Sequence, residues 1–409
     1  HNESEAVPSK AMSIRSSLIP ALRGMKDTLP QASECRHRLV GTARRVCGLY
    51  GFRHIDTPIL ESTELFTRAM GETSDVVSKE MFTFKDLSDN QVSLRPEGTA
   101  GVCRALLSHN ELLTTLPQRV WYAGPMFRYE RPQKGRQRQF HQIGVEAFGE
   151  DSALADVDVI ACAAQFLRAA GVPDGAVALH VNSIGDGADR ARYAEALAGH
   201  LKPRRDELSE ESRARLDRGA ALRILDSKAA ADRAAVADAP ALGEYLGDAS
   251  RRRFAAVREG LAEAGVEFRE APGLVRGLDY YAETVFEFVA EGIGAKDTVL
   301  AGGRYDGLTK ALGGLDVSGI GWAAGVERLE LLLGDSSRLP HDPFVAVFAV
   351  NSAATTPISP QLSDAATSRL VLDVARRLRT LGIPVRPRLD RRAAAKQTKW
   401  AAAGVHAAV

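Results

Sequence analysis

The clearest alternation of apolar and polar positions lies between Arg119 and Glu150. Ile143, Val145 and Ala147 fall on one face of a strand and Gln142, Gly144 and Glu146 on the other, because successive strand side chains point in opposite directions. The preceding arm, Val120 to Phe127, is rich in β-branched and aromatic residues, so the two arms read as a hairpin. One face suits a core. The other carries an amide, a gap and a carboxylate, which suits the floor of a ligand site. Upstream, an amphipathic helix runs to about Tyr50 and Gly51 ends it. GFRHIDTPIL, Gly51 to Leu60, then reads as a short strand, with Pro58 at an edge or interface because proline cannot donate to a central ladder. A short helix, a loop and a strand to Phe84 follow. QVSLRPEGTAGVCRALL is a strand that breaks at Pro96 and opens a helix near Thr99.

The pattern predicts a helix over Ala153 to Ala170 and a strand in AVALHVNSIGD. Between Ala188 and Gly260 the period becomes helical, with Ala, Arg, Asp and Glu dominant and almost no strand signal, so an inserted helical subdomain is expected. Its charges read as solvated faces. Strands resume at Val266. LVRGLDYYAETVFEFV places Arg276, Asp279, Tyr280 and Tyr281 ahead of a strongly β-prone run. TVLAGGRYDGLTKALGG follows, and GIGWAAGVERLELLL runs from a small-residue strand into a helix that opens with Glu327 and Arg328. An arginine at a helix start is badly placed for the dipole and needs an anion or acid nearby.

A chain of 409 residues exceeds one ordinary core, so two or three domains are expected. The longest clean apolar strand, Phe344 to Val350, is far too short to span a bilayer, and the first twenty residues lack the apolar run of a secretory leader. Cys35, Cys47, Cys103 and Cys162 are widely spaced with no CxxC, which argues against a disulfide framework or zinc site. A cytoplasmic location is the default expectation. Net charge is only +1, yet residues 343–409 hold ten Lys or Arg against three acids. A basic terminal module on an acidic body fits either a nucleic-acid contact or a solubilising face.

Candidate chemistry concentrates in the hairpin loop, where Arg128, Arg131, Lys134, Arg136 and Arg138 face one acid, Glu130. Arginine offers a rigid fork that matches phosphate oxygens, so the loop is either a polyanion site or a solvated tip. Glu97 and Thr99 sit at a strand-to-helix junction, where the carboxylate either faces a ligand or complements the helix dipole. The Gly302–Gly307 loop is not a P-loop, since Leu308 and Thr309 stand where Lys and Ser or Thr are needed, and no GxGxxG follows a strand.

Taken together, these residues carry a resemblance. The strand ending in Pro58, the FRYE hairpin (Phe127 to Glu130) and GVERL (Gly325 to Leu329) resemble the three signature motifs of class II aminoacyl-tRNA synthetases. RPEGTA, RPQKGRQRQFHQIGVE, LVRGLDYY and GGRYDGL look like the histidyl-tRNA synthetase family. The match is strong over residues 22–334 and looser over the basic C-terminal module.

The resemblance implies an α+β fold: a class II antiparallel sheet with flanking helices, a helical insertion, and a C-terminal α/β anticodon-binding-type domain. It implies an N-terminal extension at 1–20, a catalytic domain at 21–338 with the insertion at about 188–260, and the C-terminal domain at 343–409. The implied reaction is ATP-dependent activation of L-histidine, with Mg2+, and transfer to tRNA(His) by a homodimer with no membrane association. Arg128 and Arg276 would act on the α-phosphate as the catalytic pair, with Arg136 and Arg328 toward the outer phosphates and adenine. Glu97, Thr99 and Gln142 would receive the α-amino group, Glu146 and Tyr281 would meet the imidazole with Tyr280 beside them, and Gly98 and Tyr305 would also belong to the histidine site. No metal ligand is assigned. A pocket that bonds both ring nitrogens rejects isosteres lacking them, so no editing domain is expected.

Three positions depart from the family pattern. Ala282–Glu283 follows the twin tyrosines where a polar or basic residue is more familiar, Trp322 stands where the family usually has Phe, and the C-terminal module carries only part of an anticodon-binding domain. Two other functions therefore stay open: activation of histidine or a related amino acid without tRNA charging, and the regulatory paralogue that partners ATP phosphoribosyltransferase.

Overall fold

A computed structural model describes residues 19–72, 74–225, 227, 229–290, 298–334, 345–348, 364–388 and 407–408. Two units, 1–335 and 336–409, divide the chain. In the first unit the strands are β1 (Arg53–His54), β2 (Leu60–Ser62), β3 (Phe82–Lys85), β4 (Gln91–Leu94), β5 (Gln118–Phe127), β6 (Gln139–Phe148), β7 (Val177–Ser183), β8 (Arg269–Glu270), β9 (Ala282–Ala290), β10 (Thr298–Arg304) and β11 (Gly319–Gly325). An antiparallel run β5-β6-β11-β10-β9-β7 forms the large sheet, and β1 and β8 add in parallel at its two edges. A three-stranded sheet, β2-β4-β3, stands separately. The fold is the α+β arrangement that the resemblance implied.

Strand alternation decides what each sheet face buries. Ile143, Val145 and Ala147 of β6 join Ile320, Trp322 and Ala324 of β11 in one core, covered by the helices Pro30–Leu49 and Ala153–Ala169. The first helix starts on Pro30, whose fixed φ and missing N–H suit that position, and buries Cys35, Leu39, Ala43, Val46 and Cys47 along one stripe. Ser152 caps the second, accepting from Leu154 N at 3.1 Å. Its Phe166 stacks on Trp322 with ring centroids 5.6 Å apart, so Trp322 serves as a core residue. The opposite face carries Tyr122, Tyr280, Tyr281 and Tyr305 in a second cluster shared with the insertion.

The helical insertion runs from Gly187–Leu201 to Asp248–Glu263. The expectation that its charges are solvated needs correction. Asp189 and Asp232 are buried, and the Arg223 side chain is only 9% exposed in a 2.6 Å ion pair with Asp279. Periodicity marks a polar face but not what packs against it. GFRHIDTPIL likewise does not form one strand: β1 joins the large sheet, β2 joins the small one, and Pro58 lies between them, where its missing N–H interrupts neither ladder.

In the second unit, β12 (Val345–Phe348) pairs in parallel with β13 (Val385–Arg388) and β14 (Ala407–Ala408). The helix Asp364–Thr380 connects β12 to β13 and buries Val371 and Ala375 against Val385. Residues 1–18 of the N-terminal extension and residues 389–406 of the C-terminal module lie outside the described residues.

One buried ion pair ties β10 to the covering helix. Arg304 Nε and Nη2 donate to Asp156, with Nε at 3.0 Å, and both side chains are fully shielded. Thr284 Oγ donates to the same carboxylate at 2.6 Å. Removing Asp156 leaves the buried Arg304 held only by Asp306 at 3.0 Å and the Glu150 carbonyl at 3.1 Å, and takes the acceptor from Thr284 Oγ. Asp156→Ala should therefore lower unfolding free energy by about 3 kcal/mol in urea titration, the low end for breaking a buried pair. A loss below about 1 kcal/mol, typical of an exposed pair, would contradict this account.

Candidate active site

The polar row of β6 opens into a cavity of ≈ 530 Å³, walled also by β9, β10, β11, the helix start at Thr99 and the loop before β9. Every site residue anticipated from the sequence lines it except Gly98, which lies against the ring of Tyr122.

At the centre of one wall is Glu146, which is 1% exposed. Three hydroxyls donate to it: Thr99 Oγ at 2.8 Å, Tyr122 OH at 3.3 Å and Tyr305 OH at 2.5 Å. Burial pushes its carboxyl up to about 8, while the bonds from Tyr305 and Thr99 pull the other way. Space for this cluster comes from missing side chains. A Cβ on Gly144 would sit 2.4 Å from the Tyr122 ring, and one on Gly321 would sit 2.0 Å from Glu146 Oε2. Register explains both contacts, since Tyr122 pairs with Gly144 across β5 and β6, and Glu146 with Gly321 across β6 and β11.

Glu97 is committed in part to the helix start, accepting from Thr99 N at 2.6 Å and Ala100 N at 2.8 Å. Those bonds satisfy orphan donors of the first turn, and a carboxylate has lone pairs left for a cation. Burial raises its pKa against these bonds. Gln142 Oε1 is buried and has no hydrogen-bond partner among the described residues. An acceptor in that state lacks a donor that a ligand can bring.

Arginines form the rest of the lining. Arg276 pairs with Glu287, which also accepts Thr298 Oγ at 2.9 Å, and its guanidinium lies 5.4 Å from the Tyr281 ring centroid. Arg128 Nε donates to Pro96 O at 2.9 Å, and its guanidinium sits 5.4 Å from the Phe140 centroid. Arg136 pairs with Glu130 at 2.7 Å, and Arg328 donates to Thr298 O at 2.6 Å. Burial first, then the charge of Arg136, push the Arg328 pKa down, with Arg128 adding to the same effect. Arginines that repel one another around a void suit a polyanion.

Sequence reasoning missed Tyr122, Glu287 and Glu80. Tyr122 could have been found from an aromatic residue placed opposite a glycine in the hairpin. Glu287 alternates with apolar residues in the β-prone run, which is its signal. Glu80 lies on a short π-helical turn, Val76–Glu80. Burial, then the neighbouring Glu130, raise its pKa.

Glu146 predicts a pH dependence. Between the ordinary carboxylate value of 4.5 and about 8, the folded protein holds a proton that the unfolded chain has released. Stability therefore falls as pH rises through that window and levels above it. Relative to Glu146→Gln, unfolding free energy should decline by about 1.4 kcal/mol per pH unit near neutrality. Urea titrations of both proteins over this range check it, and parallel profiles would refute the assignment.

The comparisons with known proteins agree with this geometry. A family profile described as histidyl-tRNA synthetase matches residues 24–329. Histidine–tRNA ligase of Gluconacetobacter diazotrophicus is 52% identical over 339 residues, covering 83% of this chain and 80% of the relative. The ligase of Gluconobacter oxydans is 52% identical over 318 residues, covering 78% and 76%. The crystal structure of apo histidyl-tRNA synthetase from S. aureus superposes with a TM-score of 0.74 at 32% identity, covering 96% of this chain and 90% of that one. Fold, site chemistry and similarity over most of the length converge, and the chain belongs to the histidyl-tRNA synthetase family of class II aminoacyl-tRNA synthetases.

Proposed function

We propose that the protein activates L-histidine with ATP and transfers it to tRNA(His), using the cavity floored by β6. The observation that carries this reading is the juxtaposition of a buried carboxyl, Glu146, held by three hydroxyls, with a lining of four arginines in one cavity. Identity of 52% to histidine–tRNA ligases over most of the chain supports charging over the tRNA-free and regulatory alternatives.

In this reading the histidine ammonium meets Glu97, Thr99 and the free acceptor of Gln142, and an imidazole N–H meets Glu146. ATP lays its phosphates among Arg128, Arg136, Arg276 and Arg328. A histidine carboxylate oxygen attacks the α-phosphorus, the bond to the bridging oxygen breaks, and pyrophosphate leaves with that electron pair. The step needs placement and charge stabilisation rather than a protein nucleophile. A terminal ribose hydroxyl of tRNA then attacks the histidyl carbonyl, releasing AMP. Mg2+ would shield the phosphate charge. Among the described residues no cluster of three or more His, Cys, Asp or Glu could hold a metal ion, and Mg2+ commonly relies on one or two carboxylates plus phosphate oxygens. Glu80 and Glu130 fit that role, since both lie in the cavity wall beside the arginines.

The homodimer belongs to the same proposal. Leu60 and Phe84 on the small sheet, with adjacent Ile59 and Leu87, are exposed apolar residues, an arrangement that suits a self-associating face. A cytoplasmic location is also part of it and rests on the family alone.

Two variants test the site. Arg276→Ala should lower histidine-dependent ATP–pyrophosphate exchange by about 10²-fold or more in turnover, with less effect on histidine binding, because its target is charge that develops at the α-phosphate. A raised histidine KM with intact turnover would remove that role. Glu146→Gln should impair histidine binding in direct titration and leave ATP binding little changed. Collapse of ATP affinity alone would assign β6 to the wrong substrate. For assembly, sedimentation should give a dimer, and an active monomer at micromolar concentration would end that part of the proposal.

A further inference from the structure

Asp279 belongs to the same short motif as Arg276, Tyr280 and Tyr281, yet it does not line the active-site cavity. It faces the helical insertion instead. Between that insertion and the loop lies a second cavity of ≈ 370 Å³, and Val275, Arg276, Leu278 and Tyr281 line both cavities. A single thickness of loop therefore separates the two spaces. Leu274, Val275 and Leu278 pack against the cluster that holds Tyr280 and Tyr281. On the side of the second cavity, however, the loop lacks the dispersion contacts of a packed core, so directed polar contacts carry more of its placement there.

Asn182 of β7 holds the start of the loop, donating to the carbonyl oxygens of Pro272 at 3.2 Å and Leu274 at 3.0 Å, and two arginines of the insertion hold its end. Arg190, on the helix Gly187–Leu201, donates through Nη1 to the carbonyl oxygen of Asp279 at 3.2 Å and to that of Tyr281. Arg223, on the 3₁₀ turn Ala221–Ile224, donates through Nη2 to the Asp279 carboxylate at 2.6 Å. Gly71 closes the remaining side: a Cβ there would stand 2.7 Å from Asp279 Oδ2. The Asp279–Tyr281 end of the loop is thus held at its backbone and at its one acidic side chain by a subdomain that contributes neither Arg190 nor Arg223 to the substrate cavity.

We propose that Arg190 and Arg223 are positioning residues for histidine activation: through Asp279 and the Tyr281 carbonyl they hold Arg276 and Tyr281 at the substrate cavity, so the insertion sets the geometry of adenylate formation. This rests on the functional reading above. Misplacement of a reacting group by about 1 Å can reduce rate by about 10²-fold, which makes a polar tether of this kind detectable in kinetics.

The test is histidine-dependent ATP–pyrophosphate exchange by the full chain and by Arg223→Ala, Arg223→Lys, Arg190→Ala, Asp279→Asn and the double variant Arg223→Ala/Asp279→Asn. Thermal unfolding and direct ATP titration accompany each protein. Arg223→Ala and Asp279→Asn should each reduce kcat/KM for histidine by about 10- to 100-fold, with Tm and ATP affinity close to wild type. The double variant should be no worse than the poorer single one, since both changes break one contact, and Arg223→Lys should recover a large part of the loss. Unchanged kinetics in the single variants, additive losses in the double variant, or losses that track Tm would each overturn the positioning role. Absence of exchange by the wild-type protein would instead overturn the functional reading, and this role with it.

Discussion

Burial of one carboxyl group on a strand constrains the rest of the site. Glu146 occupies a position where ionisation is disfavoured by lack of water, and three hydroxyl donors converge on it to offset that penalty. Each donor comes from a different part of the chain: Thr99 from a helix start, Tyr122 from β5 and Tyr305 from the turn after β10. The sheet register that brings β5 and β11 to either side of β6 is therefore a requirement of the carboxyl as much as of the core. Gly144 and Gly321 follow from the same constraint, because any side chain at either would displace the Tyr122 ring or the carboxyl itself. A ligand N–H reaching Glu146 would add a fourth donor. It would favour the ionised form and thereby strengthen its own hydrogen bond.

The arginines answer the opposite electrostatic problem. Buried guanidiniums left alone are expensive, and here each has an internal acceptor: Glu287, Glu130, or a backbone carbonyl. These partners form a chain across β9 and β10, in which Arg276 pairs with Glu287, Glu287 accepts from Thr298, and the Thr298 carbonyl accepts from Arg328. Five N–H donors per arginine leave capacity beyond these bonds. Phosphate oxygens can thus be received without first breaking the network, so the charge is organised before substrate arrives. Preorganisation of this kind is what makes electrostatic stabilisation effective.

How much of this was legible in the sequence depended on whether the signal was local. Alternation in Gln142 to Ala147 gave both faces of β6, because strand period alone decides which residues share a face. The apolar faces of the covering helices and the helical character of residues 188–260 were equally local. Tyr122 was not legible in its role, since its contact with Glu146 depends on pairing with Gly144 across the hairpin. Pro58 signalled an interruption, but the division of its segment between two sheets is a tertiary outcome. Arg190 and Arg223 were hidden for a related reason. In a helical stretch rich in Arg and Ala, the arginines that reach another element have the same composition around them as those that meet water.

That last difficulty bears on how a helical insertion can influence a site it does not line. The insertion buries its own apolar residues, Tyr193, Leu197 and Leu201 among them, in the same cluster as Tyr280, Tyr281 and Tyr305. Packing thus joins the two at their base, while the second cavity thins the packing on the insertion side of the intervening loop. Dense packing alone would have fixed the loop in one place whatever its polar contacts. With a void present, the balance shifts to the contacts from Arg190 and Arg223, which are directional and few. A small rotation of the helix Gly187–Leu201 would then move the Tyr281 carbonyl, and with it the ring that forms part of the substrate wall. The geometry of the active site is in this sense distributed: the sheet fixes Glu146 and, through Glu287, pairs with Arg276, while a remote subdomain holds the Asp279–Tyr281 end of the loop that stands opposite.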